Sequence, residues 1–129
     1  ATPGVNIGLF CSTPMVAVSR NVNRKQTMEM LLMGEFITPL KAKEIGLINN
    51  IVKDDNLKKE TLKVAKMIAS KSTATVAIGK EAFYKQLEMG IEDAYKYTSK
   101  VMSSNMLQQD AQEGISAFIE NRDPIWSDN

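Results

Sequence analysis

The chain has 129 residues, enough to bury one core of modest size and too few for two ordinary domains. Sixteen Lys and Arg stand against fifteen Asp and Glu, a formal net charge of +1 that offers neither a basic field for nucleic acid nor an acidic tail. Histidine is absent and cysteine occurs once, which removes imidazole-based catalysis, imidazole metal sites and an internal disulfide.

In chain order, residues 5–10 alternate apolar positions at Val5, Ile7 and Leu9, the period of a short strand. The first residue is Ala1, and a buried strand seldom begins a domain without neighbours, so a segment upstream is expected. Ser12 or Thr13 is expected to cap a short helix over 14–19, with Pro14 tolerated in its first turn. In RKQTMEMLLM, Met28, Leu31 and Leu32 share a helical face and Gly34 is the C-terminal cap. Thr38-Pro39 starts a further helix and Gly46 ends it. Residues 49–52 read as a brief extended link. Asp54, Asp55 and Asn56 open a longer helix whose face carries Leu57, Thr61, Val64, Ala65 and Ile68. A helix over 75–87 is expected to turn Val76, Ala77, Phe83, Tyr84 and Leu87 inward. After Gly90 another carries Ile91, Tyr95, Thr98, Val101 and Met102. Asp110-x-x-Glu113 has the form of a capping box ahead of Ile115, Phe118 and Ile119, and Asp123-Pro124 stops the last helix.

The chemistry written in these residues is sparse. There is no G-x-x-x-x-G-K-[ST], and Gly4-Val-Asn-Ile-Gly8 does not match G-x-G-x-x-G, so no phosphate cradle of the usual kinds is encoded. Cys11 reads as a small hydrophobe. Glu29, Glu35, Glu44, Glu81, Glu88, Glu113 and Glu120 lie on helices beside lysines or arginines or at caps, as solvated faces do. The eight methionines sit at helical spacing and read as core filler. No apolar run is long enough to span a bilayer.

Three separated blocks say more. ATPGVNIGLF, MEMLLMGEFITPLKAKEIGLINNIV and EGISAFIENRDPIW, in that order, resemble the C-terminal half of the enoyl-CoA hydratase/isomerase (crotonase) superfamily. The resemblance runs over essentially the whole chain, and TPGVNIGLFCSTP is most similar to a mitochondrial branch of the family. It implies the C-terminal portion of an α/β crotonase (ClpP/crotonase-like) fold, mainly α-helical here with one or two short strands. Residues 1–20 would be the last strand and helix of the N-terminal spiral, and residues 21–129 a helical region that drives assembly into a homotrimer or dimer of trimers. It further implies an acyl-CoA thioester as partner, with coenzyme A arriving as part of the substrate, no cofactor or metal of the protein's own, a place in fatty-acyl-CoA metabolism, and a mitochondrial location. No nucleic-acid or membrane partner is expected.

The resemblance also places site residues. Hydratases carry their second catalytic glutamate directly after the proline of the first block. Here Pro3 is followed by Gly4, so no catalytic residue is expected in this chain. The oxyanion-hole donors and the first glutamate would lie upstream. Gly4, Ile7 and Ser12 would belong to the substrate-binding site, Ser12 standing where hydratases have a glycine lining the water pocket. Met102 and Asn121 occupy positions where the family has an aromatic residue and a lysine against the CoA nucleotide, and Arg122 is a candidate phosphate contact. A second reading keeps the helical region as an assembly module that completes or trimerises a crotonase-fold partner.

Overall fold

A computed structural model describes residues 1–127, which form two compact units, Ala1–Leu57 and one that begins at Lys58. The first unit holds α1 (Ser12–Ser19), α2 (Arg24–Met33) and α3 (Pro39–Glu44). Its boundaries follow from local chemistry. The Asn23 side chain accepts from the Gln26 amide at 3.1 Å and starts α2. Gly34 closes α2 at φ 63°, the left-handed conformation that glycine adopts without strain. Thr38 accepts from the Lys41 amide at 3.1 Å, with Pro39 in the first turn of α3. The core of the unit is Val22, Met30 and Ile45, ringed by Val18, Ile37 and Leu47. Leu31 is the most enclosed large side chain at 1% exposure, worth about 2 kcal/mol of transfer free energy.

The strand expected over 5–10 does not form. Pro3–Ile7 is a 3-10 helix, closed by Gly8 at φ 76°. Pro3 presets the first φ, and the Leu9 amide returns to the Gly4 carbonyl at 2.9 Å, so the chain reverses instead of extending. The link over 49–52 also carries no strand, and there is none among the described residues. An extended segment without a ladder partner leaves its amides and carbonyls unpaired, whereas a 3-10 turn pairs some of them internally. The short helix after this turn starts at Ser12, two residues earlier than expected, with Cys11 rather than Ser12 or Thr13 as its N-cap.

The second unit contains α4 (Leu57–Ala69, its first residue contributed by the preceding unit), α5 (Thr73–Gln86), α6 (Ile91–Met106) and α7 (Gln109–Ile119). Asp54–Asn56 is a separate 3-10 turn just ahead of α4 rather than its first turn. Ser72, buried to 3% exposure, caps α5 by accepting from the Thr75 amide at 3.1 Å. Helices α5, α6 and α7 pack on one another, and Ala82, Ala94 and Ala117 are their buried residues of small size. Helix α4 has no buried residue.

The inward faces expected for these helices are only partly so. Val76, Thr98 and Val101 are half-buried. Phe83, Tyr84, Leu87, Ile91, Tyr95, Met102, Ile115, Phe118 and Ile119 are exposed, Phe118 by 85%; Ala77 is exposed too. Helical spacing shows which side chains share a stripe, but whether that stripe is covered depends on a partner. No helix among the described residues is long and apolar enough to cross a membrane.

Candidate functional site

Gly4, Ile7 and Ser12 fall within one tight turn. Thr2, 5% exposed, anchors its start by donating its hydroxyl to the Met30 carbonyl at 2.7 Å. The Asn6 side-chain amide donates to the Gly34 carbonyl at 3.2 Å, tying the turn to the end of α2. Gly34 has to be small for that approach: a Cβ on it would lie 2.8 Å from Val5 Cγ1.

Gly4 is enclosed more tightly still. Its amide donates to the Cys11 sulfur at 3.3 Å. A Cβ built on Gly4 would stand 2.8 Å from that sulfur and 2.8 Å from the Leu9 carbonyl oxygen. Real Cβ atoms do not approach backbone so closely, so the turn as folded admits only glycine at this position. Ile7 is 77% exposed. Ser12 is the first residue of α1, and its hydroxyl donates to the Phe10 carbonyl at 3.2 Å. The turn thus presents an apolar side chain, a hydroxyl and a thiol, and no carboxylate.

The other three residues belong to the second unit. Met102 lies on an exposed face of α6. Asn121 has φ 53° and is the left-handed residue that closes α7. Its amide donates to the Phe118 carbonyl at 3.3 Å and the Arg122 amide to the Ala117 carbonyl at 3.0 Å, the paired bonds of a Schellman motif. The Arg122 guanidinium is engaged by two acids: Nη1 and Nη2 meet the two oxygens of Glu113 at 2.6 and 3.0 Å, and Nε meets Glu120 at 2.6 Å. Bidentate pairing of this kind holds the arginine's plane as well as its charge.

Asp110 and Glu113 do not act as a capping box. The N-cap of α7 is Gln108, which makes no side-chain cap. Both acids instead reach the tail that follows the helix. Glu113 accepts the Ile125 amide at 2.9 Å, and Asp110 the Ser127 amide at 2.8 Å. Hydrogen bonding from Arg122, then from the Ile125 amide, holds the Glu113 carboxyl down at about 2. The Ser72 hydroxyl and the Ser127 amide lower that of Asp110. The second Asp110 oxygen, Oδ2, is buried without a well-formed hydrogen bond, as is Asn105 Oδ1. Both residues border an open cleft of about 540 Å³, whose apolar wall is Val76, Ile115, Phe118 and Trp126. Trp126 packs over Gly114, where a Cβ would meet its ring at 3.4 Å, and donates its indole N–H to the Ser70 carbonyl at 2.9 Å. These tail contacts escaped the sequence reading because Asp110-x-x-Glu113 matches a local pattern while its partners lie beyond the helix. The only hint was the acid pair set ahead of Arg122 and Trp126. No group of three His, Cys, Asp or Glu side chains suited to a metal ion occurs among the described residues.

Comparison with known proteins places this geometry. The profile of the family described as Enoyl-CoA hydratase/isomerase matches residues 1–129. Enoyl-CoA hydratase domain-containing protein 3, mitochondrial, of Mus musculus is 52% identical over 127 residues, covering 98% of this chain and 42% of that protein. The chain therefore spans well under half the length of that curated relative. An enoyl-CoA hydratase crystal structure from Mycobacterium smegmatis superposes with TM-score 0.95 at 48% identity, over 98% of this chain and 49% of the other. The crystal structure of human enoyl coenzyme A hydratase domain-containing protein 3 does so at TM-score 0.93 and 48% identity, over 98% of this chain and 50% of the other.

Proposed function

This chain belongs to the enoyl-CoA hydratase/isomerase family, with crotonase-fold structural neighbours, and on that premise we propose that it is part of an acyl-CoA-binding protein of fatty-acyl-CoA metabolism and has no hydratase activity by itself. The observation that carries this reading is Gly4. Adding water across a conjugated thioester needs one group to take a proton from the water and a source of a proton for the α-carbon. At the position where the resemblance expects the second carboxylate, the turn has a glycine, with Cys11 and the Leu9 carbonyl filling the space a side chain would enter. Ser12 can hold a water but does not deprotonate it. Acyl-CoA binding, with Ile7 and Ser12 in the substrate site and Met102, Asn121 and Arg122 toward the nucleotide, is what remains. A mitochondrial location is part of the same proposal, on the name of the murine relative. Incubation of the chain with crotonyl-CoA, followed through the absorbance of the conjugated thioester, tests it. The expected trace is flat, and a rapid catalysed fall overturns the reading.

A second reading is favoured by a separate observation. Tyr95, Met102, Phe118 and Ile119 are 70%, 62%, 85% and 77% exposed on α6 and α7, more apolar surface than a small unit usually leaves in water. On this reading the helices serve assembly, as a trimer or against a partner that carries the rest of the fold. Sedimentation of the chain decides it: association supports the assembly role, and a compact monomer at all concentrations removes it.

A further inference from the structure

Helix α4 is held unlike its neighbours. It buries none of its residues, and the extensive helix packings of the unit are those among α5, α6 and α7. Its C-terminal end nevertheless has a long-range tie. The Ser70 carbonyl, one residue past the helix, accepts the indole N–H of Trp126, fifty-six positions along the chain, at 2.9 Å. Trp126 is itself fixed from both sides. The Ile125 amide is bound by Glu113 and the Ser127 amide by Asp110, and the tail leaves α7 through the left-handed turn at Asn121. Ser72, just beyond Ser70, lines the same cleft as Asp110.

We propose that residues 121–127 form a strap that fastens the end of α4 to α7, with Trp126 as its pin, so that strap and α4 open together as one local unit while α5 and α6 stay folded. Segments with few buried apolar contacts open locally at a lower free energy than the packed core does. Here the opening is governed by a side chain far away in sequence. Once the pin is drawn, α4 is an amphipathic helix with Leu57, Val64 and Ile68 on one side and Lys59, Lys63 and Lys66 on the other, free to reorient without unfolding the other helices.

Amide hydrogen exchange of the chain, read by peptide mass spectrometry, tests this with two variants. Trp126→Phe keeps a ring over Gly114 and removes the indole donor. Glu113→Gln leaves Trp126 and Ser70 intact and loosens the strap upstream. Both are expected to speed exchange across residues 57–70 by about three- to tenfold, the weight of one or two hydrogen bonds in the opening equilibrium, with residues 91–106 unchanged. Exchange in 57–70 that stays at the wild-type rate in either variant overturns the proposal. So does acceleration shared equally by α5 and α6, because the tail would then support the whole unit.

Discussion

The amide of Gly4 points at the sulfur of Cys11 across 3.3 Å, and a methyl group on Gly4 would fall 2.8 Å from the same atom. One contact thus provides a hydrogen bond and forbids a side chain.

Gly4→Ala is therefore expected to destabilise the first unit by about 1–3 kcal/mol, the usual cost of forcing an extra carbon into a packed site. Cys11→Ala removes the bulk and the acceptor together. In the double variant the loss is expected to be smaller than the sum of the two single losses, because the sulfur clash disappears while the Leu9 carbonyl remains in the way. Urea unfolding of the four proteins closes this cycle. Simple additivity would show that Cys11 and Gly4 are not coupled.

Glu113 makes the second unit sensitive to acid. Its carboxyl sits at about 2 in the folded chain against an ordinary 4.5, so its contribution is fully present above pH 4.5 and is lost as the pH falls through about 2. Glu113→Gln is expected to lower stability at neutral pH and to flatten the pH dependence across that window. Trp126 is the only tryptophan of the chain, and its emission follows release of the tail. An unchanged pH profile in the variant would remove Glu113 as the responsible group.

Asn121 is the one non-glycine residue with positive φ among those described, at 53°. Glycine takes this conformation without strain and a β-branched residue does so poorly. Asn121→Gly is expected to keep or raise the thermal midpoint, while Asn121→Val costs about 1–2 kcal/mol. Equal midpoints for the two would mean that α7 ends without needing the left-handed residue.

The parts of the fold legible in the sequence were those set by neighbouring residues. Gly34, Thr38-Pro39 and Gly46 act within a few positions of themselves, and each performs the terminating or capping role its chemistry suggests. Alternation at Val5, Ile7 and Leu9 was too short to separate a strand from a 3-10 turn, and Pro3 and Gly8 settled it for the turn. Phe83 and Phe118 show a different limit, since their stripe was visible and its exposure was not. At the site, the glycine after Pro3 was visible where the resemblance expects a carboxylate. Its enclosure could not, because it depends on Cys11 folding back over seven residues. Asp110 and Glu113 were read as partners of the helix start, and their amide partners proved to be Ser127 and Ile125.

The enclosure of Gly4 also dictates an order of events over many generations. A lineage with this turn does not acquire a carboxylate at position 4 by one codon change, because the newcomer would meet a sulfur and a carbonyl before it met any substrate. Cys11 would have to shrink or the reversal at Gly8 relax beforehand, and neither change brings a catalytic advantage of its own. The glycine is thus kept in place by its neighbours.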